Sequence, residues 1–181
     1  MRLKNTIYIL VLFFSVFLLS CGNSDREKLT QAIQVLEERP DSAYVLLKGI
    51  DYNSLDSDKD KADYILAHAR ANIYMGRSLI ADTMISKSAI FFKNIGDTTS
   101  FLDASIAQAR HLRSLGKNVE ANRLIEALAK EMPKEIQRNL NQELLSFSFA
   151  DKEPQKSLEI IARQIDLADN NTERIDFEIK K

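Results

Sequence analysis

Apolar residues return along most of this chain with the period of an α-helix. Ala62, Ile65, Leu66, Ala69 and Ile73 share one face, as do Ala121, Leu124, Ile125, Leu128 and Met132. A further stripe runs through Leu158, Ile161, Ala162 and Ile165. No segment alternates apolar with polar residues for long enough to predict a strand, so the expected fold class is all-α. Pro40, Gly49, Gly76, Gly96, Gly116, Pro133 and Pro154 punctuate the stripes, mostly one helix and one turn apart. Glycine suits the left-handed residue just past a helix end, and proline suits a first helical turn. Caps fit the same division: Ser57 before Asp60, Asp97-Thr98 after Gly96, and Asn171-Thr172 before Glu173.

Sliding the chain by 40 residues superimposes two segments. Asp63 meets Asp103, Ala69-Arg70 meets Ala109-Arg110, and Gly76 meets Gly116; Ala81, Ile85 and Ala89 then meet Ala121, Ile125 and Ala129. The pattern predicts a duplicated helical hairpin, best defined over residues 60–96 and 98–133. One hairpin cannot bury its own apolar face, so several must stack.

Composition changes this picture little. In 181 residues there are five Gly, three Pro and no Trp, with 45% hydrophobic and 28% charged residues, which suits a globular α protein and not a disordered tail. The formal charge is −1 and no block of Lys and Arg stands out, so nucleic acid is not an expected partner. The single cysteine, Cys21, excludes an intrachain disulfide and a cysteine-rich metal site.

Candidate chemistry is sparse. Asp56, Asp58 and Asp60 open like a calcium loop, but Lys61 stands where that loop needs glycine and Ala67 where it needs a bidentate glutamate. A polar loop running into a helix cap explains them better. His68 and His111 lie one repeat apart without metal-ligand spacing and read as helix-surface histidines. No nucleophile elbow, P-loop or dinucleotide fingerprint is present, so no enzyme, metal or cofactor is expected.

Within each unit the spacing resembles the tetratricopeptide repeat. Ala109, Gly116, Ala121 and Pro133 stand where that family carries a small residue, the turn glycine, an alanine and the terminal proline, and Ala69, Gly76 and Ala81 match in the earlier unit. The chain departs from the family in its 40-residue unit and in Lys93, which stands where proline is usual. The resemblance implies antiparallel hairpins stacked as a solenoid, with Asp63, Arg70, Tyr74, Asp103, Arg110 and Arg113 on or near its concave surface. Arginine can grip a carboxylate bidentately, so an acidic peptide is one expected ligand; solvated charges or salt bridges between repeats are the competing expectation.

The amino terminus carries its own signal. Arg2 and Lys4 precede residues 7–19, which are apolar except for Ser15 and too short for the roughly 20 residues that span a bilayer. Leu18-Leu19-Ser20-Cys21 resembles the lipobox of bacterial lipoproteins. That resemblance implies a cleaved signal peptide over residues 1–20, diacylglycerol and a further acyl group on Cys21, and a lipidated tether over residues 21–26. Gly22 follows the cysteine in place of an inner-membrane-retaining Asp, which favours the outer membrane. Residues 27–181 then form the repeat domain, similar to tetratricopeptide-like cell-envelope lipoproteins. The expected function is a membrane-anchored, non-enzymatic scaffold for a protein or peptide. The alternative is the extracytoplasmic sensory input module of a truncated or split regulator, a role that such repeats also play in that group.

Overall fold

The computed structural model describes residues 24–168, and the leader, Cys21 and the Asn171-Thr172 cap lie outside them. Among the described residues there are eight α-helices, one 3₁₀ turn and no strand. The helices are α1 (Ser24–Val35), α2 (Pro40–Lys48), α3 (Asp58–Tyr74), α4 (Ile85–Ile95), α5 (Thr98–Ser114), α6 (Asn118–Glu131), α7 (Lys134–Ala150) and α8 (Pro154–Leu167). The all-α class is therefore observed. The chain divides between Arg77 and Ser78 into two compact units, and this boundary falls inside the first of the two repeats read from the sequence.

In the first unit α1, α2 and α3 pack on one another around Leu29, Ala32, Leu36, Ala43, Leu47 and Leu55. Pro40 opens α2, and Ser57 caps α3 by accepting from the Asp60 amide at 2.9 Å. Residues 24–26, expected in the tether, form the first turn of α1. There Asp25 takes Lys28 Nζ at 2.7 Å, Ser54 Oγ at 2.6 Å and the Asp51 amide at 3.1 Å, tying α1 to the Tyr52–Ser54 turn. These donors, Lys28 foremost, hold the Asp25 carboxyl down to about 2.

In the second unit α5 and α7 are each 17 residues long, and α6 and α8 are each 14. Both starts recur after 36 residues, Thr98 to Lys134 and Asn118 to Pro154. Only residues 115–117 and 151–153 join the members of each pair, so packed partners must run antiparallel. Ala109, Ala121, Ile125, Leu140, Leu144 and Ile160 meet in the core, and Ser148 and Ser157 share a buried hydrogen bond of 2.8 Å between α7 and α8. The small residues at these crossings are what allows the backbones to approach.

The register corrects two readings. Ala121, Leu128 and Ala129 of α6 are buried, and so are their mates 36 residues on, Ser157, Gln164 and Ile165. The α8 core stripe is thus Ser157, Ile160, Gln164 and Ile165, whereas Leu158 is 54% exposed and Ala162 is also exposed. Two polar members disguised the true stripe. Ala81 likewise is exposed and precedes α4, although its partners Ile85 and Ala89 are buried like Ile125 and Ala129. The first turn expected of that helix is taken up by an irregular connection over residues 75–84.

Three 17-residue helices end alike. Gly76 and Gly116 adopt φ of 64° and 74° two residues past α3 and α5, and Lys152 adopts 57° in the same place after α7. Each turn closes with the next amide reaching back to the helix, as Lys117 does to the Leu112 carbonyl and Glu153 to the Ser148 carbonyl, both at 2.9 Å. A left-handed conformation costs a residue with a Cβ about 1 kcal/mol. Nothing lies within 4 Å of a Cβ built on Gly116, so the cost there is purely conformational. Gly116→Ala should lower stability by about 1 kcal/mol in urea unfolding and Lys152→Gly should raise it by about 0.5 kcal/mol; a gain from the first or a loss from the second would contradict the shared turn.

Candidate functional site

The aspartates of the Asp56–Asp60 run serve the start of α3. Asp58 and Asp60 occupy its first turn, where negative charge favours the helix dipole, and Asp60 lies 3.8 Å from Arg26. Among the described residues no group of three or more His, Cys, Asp or Glu side chains is placed to hold a metal ion.

The expectation of surface histidines fails for His111, which is 8% exposed. Its Nδ1 lies 2.6 Å from the Leu79 carbonyl, and since a carbonyl can only accept, Nδ1 carries the proton. This bond clips the connection before α4 onto α5. His68 is half-buried in the first unit, stacked on Tyr64 and tilted against Tyr44.

The six residues expected on one surface divide between the units, three in each. In the first, Asp63 takes Lys59 Nζ at 2.7 Å. Arg70 donates to Glu37 Oε1 and to the Tyr74 hydroxyl, both at 2.9 Å, with its guanidinium 5.6 Å from the Tyr74 ring centroid. In the second, Asp103 is half-buried on α5. Arg110 grips Glu143 with two bonds of 2.6 and 2.8 Å. Arg113 grips Asp151 at 2.8 and 2.7 Å while lying 4.3 Å over the Phe147 ring. Asn118 adds a third bond to Asp151 at 3.1 Å. Both arginines of α5 therefore tie that helix to α7 and its end, across successive repeats. An incoming carboxylate would have to displace Glu143 or Asp151.

A different concavity, lined by other residues, lies in the second unit. A groove of about 570 Å³ runs between α6 and α8 over α7. Glu126 and Lys130 of α6 stand on one rim and Glu159, Arg163 and Asp166 of α8 on the other, with Gln137 and Asn141 of α7 below. A second depression shares Glu126, Glu159 and Arg163 and continues to the start of α8. Sequence reasoning missed this site because its parts come from three helices and carry no motif. The one available signal was the polar Asn141 directly after the buried Leu140.

The Arg113–Asp151 pair is 85% buried on both sides, its two side chains each being 15% exposed. The Arg113 hydrogen bonds hold the Asp151 carboxyl below its ordinary value, so their stabilisation is present above the usual carboxylate range and lost as pH falls through and below it. Arg113→Ala should cost about 2 kcal/mol at neutral pH, with the gap to the wild type closing as pH drops below about 4. A gap that stays constant down to acid pH would assign the loss to packing on Phe147 alone. No protein family, curated protein or solved structure matches the chain.

Proposed function

We propose that this chain is a membrane-anchored, non-enzymatic scaffold that binds a protein or peptide through tetratricopeptide-like repeats. The observation that carries this reading is the pair of hairpins α5–α6 and α7–α8. They have equal helix lengths, a 36-residue period and matched buried positions at Ala121/Ser157 and Leu128/Gln164. That is nearer the roughly 34-residue tetratricopeptide unit than the 40-residue offset seen in the sequence. Repeats of this kind contact only their neighbours and leave long side surfaces open to partners.

The anchor rests on Cys21 and the apolar leader before it. Two or three acyl chains hold a protein stably on a bilayer, whereas one holds only marginally. Because α1 starts at Ser24, acylation of Cys21 would keep its first turn within about 10 Å of the lipid headgroups. The side surfaces of the repeats, and not a long tether, would then set what the protein can reach. By the lipobox resemblance and Gly22 the membrane is the outer one.

Cys21→Ala should shift the protein from the membrane fraction to the soluble one, or leave it as uncut precursor. Unchanged processing with membrane retention would refute the anchor. Crosslinking of the wild-type protein in cells, followed by mass spectrometry, should yield a reproducible protein partner; its consistent absence would refute the scaffold.

A further inference from the structure

The groove between α6 and α8 contains a group that the fold does not explain. Asn141 is 4% exposed and opens into the groove, yet its side-chain amide makes no hydrogen bond among the described residues. The amide keeps contact with solvent in the groove, so a ligand there would meet hydrogen-bonding groups that the described residues leave unused, whereas the neighbouring α7 positions Leu140 and Leu144 face the core. An amide offers one acceptor and two donors, the complement of a peptide unit.

The spacing fits an extended chain. Gln137 and Asn141 stand one turn apart on α7, about 6 Å along the helix, while alternate residues of an extended strand repeat at about 6.6 Å. Gln137 already donates to the Met132 carbonyl at 2.7 Å, which fixes its amide with the carbonyl oxygen still able to accept. The 14 residues of α8 give the two connected depressions a length of about 20 Å, enough for roughly six extended residues. The rims are nearly balanced in charge. Lys130 and Arg163 oppose Glu159 and Asp166, and none of the four has an ion-pair partner among the described residues. Such rims offer contacts to a polar peptide without selecting for strong charge of one sign.

We propose that this groove binds an extended peptide segment, with the Asn141 amide gripping its main chain and the α6 and α8 rims contacting its side chains. The proposal rests on the scaffold reading and assigns the binding site to residues of α6, α7 and α8 instead of the arginines of α3 and α5.

The test is to select a random dodecapeptide phage library on the full chain purified in detergent, then to measure binding of the enriched peptides to variants. Asn141→Leu should weaken binding at least about tenfold while Tm holds, since it removes an amide that makes no hydrogen bond among the described residues and keeps a side chain of similar volume. Arg70→Ala should leave binding unchanged. Binding that survives Asn141→Leu, or a loss accompanied by a fall in Tm, overturns the groove. Peptides released by Arg70→Ala but not by Asn141→Leu would keep the scaffold and move its site to α3. A library that yields no enriched peptide would sink both readings.

Discussion

No helix in this chain can hide its apolar side alone, and that constraint shapes everything else. An amphipathic helix presents a stripe, and water is excluded from it only when a neighbour lies close. In the second unit the approach depends on small residues at the crossings: Ala109 on α5, Ala121 on α6, Ser148 on α7 and Ser157 on α8 are all buried. Large residues then fill the spaces between crossings, as Ile125, Leu144 and Ile160 do. The same need for cover explains the exposure of Leu158. Its mate Asn122 lies on α6, which has helices on both sides, whereas among the described residues α8 packs chiefly on α7.

Charged residues act as ties between helices more than as lures for a ligand. Arg70, Arg110 and Arg113 attract attention in the sequence because arginine recurs at repeat positions. The structure supplies each with a carboxylate from this chain, Glu37, Glu143 and Asp151 respectively. A guanidinium already satisfied by two oxygens makes a good strut and a poor hook. The groove on α6, α7 and α8 inverts that arrangement: among the described residues Lys130, Glu159, Arg163 and Asp166 on its rims have no ion-pair partner and the Asn141 amide makes no hydrogen bond, so binding capacity remains where the fold has not consumed it.

Residues whose chemistry acts locally were readable from the sequence. Pro40, Gly49, Gly76, Gly96, Gly116, Pro133 and Pro154 all lie at or beside helix ends, and Ser57 and Asp97 cap α3 and α5 as their types suggest. The stripes on α3 and α6 were legible because alanine, isoleucine and leucine occupy nearly all of their buried positions. The stripe on α8 was not, since Ser157 and Gln164 stand in the core there and find partners only across space, Ser148 and the Arg138 carbonyl. Nor could the left-handed turn after α7 be seen, because Lys152 holds it without glycine. The partners of His111 and of the arginines lie more than 30 residues away, beyond the reach of any periodicity.

The most direct measurement is a cysteine pair at the α7–α8 crossing. Ser148 and Ser157 touch through their hydroxyls at 2.8 Å, so Ser148→Cys with Ser157→Cys in a Cys21→Ser background brings two thiols within bonding reach. Stacked hairpins in this register predict that both thiols disappear on mild oxidation, return on reduction, and raise Tm while bonded. Two cysteines that stay free under oxidation would mean that α7 and α8 do not cross there, and the repeat architecture would fall with them.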